Sequence, residues 1–149
     1  MQLLVRQPLA LQTYRDLRYL LIKQVEEGGS VSLAAYLDSK EIPTIGLGFN
    51  LRQHWKRIAA KFGVDPSIAA DVQYFNRIKA IVEHNYTAAD AQKLRDDLNK
   101  VMADRAGDTN VPGVKRGAFV FADEDEVKDV FIDIADAIYE TEIRKWEQK

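Results

Sequence analysis

By type and by place, Glu27, Asp38 and Thr44 are the residues of this sequence best suited to acid–base chemistry. Glu27 directly precedes Gly28-Gly29, where a helical apolar pattern stops, so its carboxyl falls at a helix C-terminus. The macrodipole is negative there. That field opposes ionisation and, with partial burial, raises the carboxyl pKa toward the range of a general acid. Asp38 falls in a polar turn, where solvent and backbone donors favour the ionised form. Two carboxyl groups whose surroundings push their pKa values apart are what cleavage of a glycosidic bond needs. Thr44 can hold a water through its hydroxyl. Glu26 competes with Glu27 for the acid role. Carboxylates at helix ends and turns also arise for structural reasons alone, and the residue types leave that reading open.

The elements that would position these groups can be read from spacing. Thr13 and Asp16 fit a capping box, and Tyr14, Leu17, Leu20, Leu21 and Val25 then recur at helical intervals, predicting a helix over 14–27. Residues 32–37 read as a short strand, 38–41 as a polar turn, and 42–49 as a return strand weakened by its glycines. Beyond Arg52 the pattern is helical. Trp55, Ile58, Ala59 and Phe62 share one face, and Gly63 ends that piece. Pro66 is expected at the first position of the next helix, whose stripe would be Ile68, Val72, Phe75, Ile78 and Val82. Thr87 and Asp90 form another capping box before Ala91, Leu94, Leu98 and Val101. After a loop over 107–117, a last helix is predicted from Asp123, with Val127, Val130, Phe131, Ile134, Ile138 and Trp146 as its apolar stripe.

The segments Glu27-Gly28, Tyr36-Leu37-Asp38-Ser39 and Pro43-Thr44-Ile45-Gly46-Leu47-Gly48-Phe49-Asn50-Leu51 resemble the active-site hairpin of the phage T4-type lysozymes. That muramidase family includes endolysins, pesticin-like bacteriocins and secreted antibacterial effectors. Its motif is Glu-Gly at a helix end, an aspartate in a Tyr-x-Asp turn and a threonine in a Thr-Ile-Gly-x-Gly strand. The six-residue step from Asp38 to Thr44 is similar to the family's, whereas the eleven-residue step from Glu27 to Asp38 is about two longer, an insertion around 29–32. The resemblance covers about 25 residues closely, with a weaker echo over 121–139 of the family's long linking helix.

The resemblance implies an α+β, lysozyme-like fold: a small β-hairpin lobe with a mainly helical body. It implies hydrolysis, without cofactor or metal, of the β-1,4 bond between N-acetylmuramic acid and N-acetylglucosamine in bacterial peptidoglycan. Glu27 would protonate the leaving oxygen. Asp38 would stabilise positive charge at the sugar and position the attacking water, with Thr44 as its partner. Gly46 and Gly48 would admit the polysaccharide close to the sheet backbone, and Asn50 would join them in binding substrate. The implied organisation is a catalytic lobe over 1–51, a helical insertion over 52–120, and a linking helix over 121–149 with no second lobe after it. An apolar stripe left without that lobe would be covered by the inserted helices, by a second copy or by further polypeptide. The alternative function is a non-catalytic peptidoglycan-binding or interaction module. Beyond peptidoglycan, the expected partners are the absent lobe, another copy or an immunity protein.

Composition narrows the remaining classes. The chain has 149 residues, 46% of them hydrophobic, 30% charged and none cysteine. This permits a core and excludes disulfide scaffolds and thiol nucleophiles. His54 and His84 are too far apart in sequence to suggest a metal pair. Residues 123–149 hold ten acidic and four basic residues, so the total of −2 divides into −6 there and +4 over the first 122. A mildly basic body suits an anionic polymer, yet its cations are too scattered for a nucleic-acid footprint. No apolar run reaches the length of a membrane span. The N-terminus does not form a signal-peptide core. Action on the wall would therefore need holin- or secretion-dependent delivery.

Overall fold

The computed structural model describes Asp16, Tyr19 and residues 31–147, with side chains through Ala137. Glu26, Glu27 and the stripe from Tyr14 to Val25 lie outside the described residues, although Asp16 and Tyr19 are both helical. The first expected strand forms as β1 (Ser32–Leu37). The return strand does not run unbroken. It divides into β2 (Pro43–Gly46) and β3 (Phe49–Asn50), giving a three-stranded antiparallel sheet in the order β1-β2-β3. Gly46 and Gly48, at φ 70° and 80°, reverse the chain between them in a region that penalises a Cβ. A Cβ on Gly46 would also come within 2.8 Å of the Phe49 ring and 3.3 Å of the Phe121 ring.

Register places Tyr36 opposite Thr44 and Leu37 opposite Pro43, with an irregularity between Ser32 and Tyr36. The outer edge of β1 is not left bare. Val120 bridges Ala34, and the Phe121 N–H donates to the Leu33 carbonyl at 2.8 Å. This short fourth segment covers a backbone that would otherwise invite further pairing.

Four helices follow the expected order: α1 (Leu51–Lys61), α2 (Val72–Glu83), α3 (Ala91–Ala106) and α4 (Glu124–Glu147). The Thr87–Asp90 capping box is present and opens a 3-10 turn (Ala88–Asp90) that leads directly into α3. Asp123 caps α4 by accepting from the Glu126 N–H at 2.9 Å. The segment before α2 differs from expectation. Pro66 lies in a turn, Ala69–Asp71 forms a 3-10 helix, and regular helix starts only at Val72. The buried face of α2 is Tyr74, Ile78 and Val82, whereas Val72 is 39% exposed and Phe75 is half-buried against Trp55. The α+β class holds.

The cause lies in a buried ion pair. Asp71 is fully buried in the turn and Arg105 sits in the last turn of α3. Arg105 Nε donates to Asp71 Oδ1 at 2.6 Å, and Nη2 donates to Asp71 Oδ2 at 3.0 Å and to the Gly63 carbonyl at 2.7 Å. Asp71 Oδ2 also accepts from the Asp65 N–H at 2.9 Å. Drawing Asp71 inward holds residues 65–71 in turns, so the helix cannot begin at Pro66.

One continuous core joins the hairpin, the helices over 52–120 and the start of α4. Val127, Val130, Phe131 and Ile134 are buried in it, and the Tyr19 ring meets Phe131 edge-on at 5.5 Å. The first half of the α4 stripe is thus covered by this chain. The side chains of Ile138 and Trp146 lie outside the described residues. Removing one partner of a buried pair strands the other charge. Arg105→Met is therefore expected to cost about 3–5 kcal/mol in denaturant unfolding, and adding Asp71→Leu is expected to recover part of that loss. Additive losses would show that the two groups do not act as a pair.

Candidate functional site

The turn carrying Asp38 is built by Asp38 itself. Its Oδ1 accepts from the Lys40 N–H at 2.8 Å and the Ile42 N–H at 2.9 Å, its backbone N–H donates to the Ile42 carbonyl at 3.1 Å, and its carbonyl accepts from the Glu41 N–H at 2.9 Å. A carboxylate oxygen accepting two backbone N–H groups is an Asx-type closure, which explains why an aspartate initiates this loop. Asp38 is half-buried, and its Oδ2 has no hydrogen-bond partner among the described residues. One oxygen builds the turn, and the other makes no hydrogen bond among the described residues.

Thr44 sits on β2, and the hairpin register sets it opposite Tyr36. It is 3% exposed, and its hydroxyl donates to the Ile42 carbonyl at 2.8 Å. With its proton engaged, the hydroxyl can serve a water only as an acceptor. Asp38 and Thr44 thus meet through Ile42, whose N–H serves one and whose carbonyl serves the other. Glu27 lies outside the described residues, so its distance to either is not part of this geometry.

The three residues expected to bind substrate divide by environment. Gly48 is exposed at its turn. Gly46 is buried against Phe49 and Phe121, so its missing side chain is filled by aromatic packing. Asn50 is half-buried and caps α1, its side-chain oxygen accepting from the Arg52 N–H at 2.9 Å. Gly46 and Asn50 therefore have structural duties that spacing alone does not disclose.

Among the described residues, two concavities are lined by residues outside the Asp38 turn. The larger, about 620 Å³, lies beside the Val120–Phe121 segment, with Lys61, Lys115 and Arg116 on its walls and Val114 at its margin. Val120 pairs with Ala34, four residues before Asp38, roughly 13 Å along a strand. The wall cations are already engaged: Lys61 with Asp129 at 3.4 Å, Lys115 with the Asp108 carbonyl at 2.7 Å, and Arg116 with both oxygens of Glu126. The smaller, about 250 Å³, is lined by His84, Tyr86, Lys93 and Asp97. Burial, reinforced by donation to Asp97 at 2.8 Å, pushes the Tyr86 hydroxyl far up, so it is a fixed donor near neutrality. Among the described residues no group of three or more His, Asp or Glu is placed to hold a metal ion.

Sequence reasoning missed Asp71, Arg105 and Glu41. Arg105 had a signal, since it falls four residues after Val101 on the buried face of α3. Glu41 had none, because its carboxylate reaches a backbone N–H 47 residues away. Comparison with family models, curated proteins and solved structures finds no match to this chain.

Glu126 is the partner of Arg116, which lines the larger concavity. Its hydrogen bonds to Arg116 lower the carboxyl pKa first, burial works against this, and the Ala122 N–H adds to the lowering. A folded-state value below the unfolded one stabilises the protein above the ordinary glutamate range. That contribution is lost as pH falls from about 4.3 through the lower folded value. Glu126→Gln is expected to flatten the acid side of a melting-temperature profile in that interval. An unchanged profile would remove the pair from acid unfolding.

Proposed function

We propose that the chain is a muramidase-type glycoside hydrolase acting on the β-1,4 bond of bacterial peptidoglycan. The observation that carries this reading is the Asp38 turn. A carboxylate with one oxygen fixed by two backbone N–H groups and the other uncommitted among the described residues stands six residues before a threonine of the same hairpin. Glu27, as the acid, gives its proton to the glycosidic oxygen as the bond from the anomeric carbon breaks. Asp38 stabilises the positive charge that develops on the sugar. It also orients a water on the opposite face and takes the proton that this water loses as its oxygen bonds to carbon, giving inversion. Thr44 supplies an acceptor lone pair that helps orient the water. Acting at the wall requires delivery by a holin or a secretion system.

A second reading, a non-catalytic wall-binding or interaction module, is favoured by one specific feature. Thr44 is almost fully buried and Gly46 is closed off by Phe49 and Phe121, so the β2 backbone beside them offers a polysaccharide little access.

Release of reducing sugar from purified peptidoglycan separates the two. Glu27→Gln and Asp38→Asn are each expected to lower the rate by about 10²–10⁴-fold. Asparagine keeps the acceptor that closes the turn, so the Asp38→Asn loss would report charge rather than unfolding. Full activity in both variants would eliminate the proposed mechanism. Wall binding without release by the unsubstituted chain would select the second reading.

A further inference from the structure

We propose that Glu41 is the positioning residue of the Asp38 turn, tying the hairpin tip to the start of the helical run that supports the sheet. The proposal rests on Asp38 being the working carboxylate. Glu41 is the one non-glycine residue with positive φ among the described residues, at 63°. It ends a three-residue loop, Ser39–Glu41, flanked by the Asp38–Ile42 pair. The left-handed position in such loops is ordinarily given to glycine or asparagine, which adopt it at low cost. A glutamate there is disfavoured by its own backbone, so its side chain must contribute something a glycine could not.

That contribution is a carboxylate at a helix start. Glu41 Oε2 accepts from the Ala88 N–H, the first of the 3-10 turn that continues into α3. The first N–H groups of a helical run lack partners within it. The capping box brings the Thr87 N–H and hydroxyl to Asp90 at 3.2 and 3.0 Å, and the N–H of Ala88 is met from the hairpin. A negative group is favoured at this end of the macrodipole. A second tie, Arg95 Nη1 to the Ala35 carbonyl at 3.5 Å, joins α3 to the middle of β1. Strand and turn are thus referred to one helix. Glu41 holds the end of the hairpin on which Asp38 depends.

The test compares Glu41→Ala, Glu41→Gln and Glu41→Gly in the full chain by amide hydrogen exchange and by peptidoglycan hydrolysis. In the alanine and glycine variants, exchange is expected to quicken about tenfold or more at Ala88 and at Ile42, whose N–H bonds the Asp38 carboxylate. Glutamine keeps an acceptor and should restore most protection. Hydrolysis is expected to lose about tenfold in kcat with little change in KM for alanine and glycine, and to recover in glutamine. Glycine relieves the backbone strain, so wild-type protection at Ile42 in Glu41→Gly would overturn the proposal, as would unaltered exchange in Glu41→Ala. Quickened exchange without hydrolysis by any form, the unsubstituted chain included, would uphold the tie and reject the hydrolase reading.

Discussion

The contact between Asp71 and Arg105 organises the helical body. A guanidinium taken out of water needs its charge answered, and the planar fork of Arg105 meets the Asp71 carboxylate with two parallel bonds from Nε and Nη2, while the buried Nη1 has no hydrogen-bond partner among the described residues. Here the fork spans three segments: the end of α1 through the Gly63 carbonyl, the approach to α2 through Asp71, and the last turn of α3. Apolar packing alone would let these segments slide. The pair fixes where α3 ends, and so where its other end meets the sheet.

Helix α3 therefore acts as the spine of the described structure. Arg105 lies in the last turn, the Thr87–Asp90 box precedes the first, and β1 packs against the helix, with Arg95 reaching the Ala35 carbonyl. The opposite face of the sheet problem is solved by omission. At Gly46 the chain leaves out a side chain so that the Phe49 and Phe121 rings can close over it. Phe121 then brings the Val120 bridge to the outer edge of β1. The sheet is small, but its β1 edge is bridged and α3 packs against β1, support of the kind a three-stranded unit needs to persist in water.

Much of this was legible from local pattern. The Thr87–Asp90 box, the Asp38 turn, the strand over 32–37 and the buried face of α1 follow from residue types within four positions of one another. What escaped depends on partners distant in sequence. Pro66 looks like a helix start, but Asp71 is drawn inward by Arg105, 34 residues later. Val72 fits an apolar stripe, yet the face that turns inward is set by Tyr74, Ile78 and Val82. Glycines in the return strand suggested an open approach for a ligand. At Gly46 the space belongs to two aromatic rings whose positions no local rule supplies.

The same comparison bears on the hairpin as chemistry. In a purely structural turn, aspartate and asparagine are close to interchangeable, since one oxygen suffices to accept the two N–H groups. A negative charge at Asp38 gains nothing from Lys40 or Ile42 that an amide would lack in kind, although ionised acceptors bind more strongly. Thr44 is different: buried, with its proton on the Ile42 carbonyl, it satisfies its own polarity within the strand. That carbonyl also accepts from the Asp38 N–H at 3.1 Å, so the Asp38 turn and the Thr44 hydroxyl converge on one acceptor. With its proton on that carbonyl, the hydroxyl offers a water an acceptor, and on the proposed hydrolase reading the water's other proton would go to Asp38. On that reading, the water's oxygen lone pair would face away from both groups, as attack on the sugar would require.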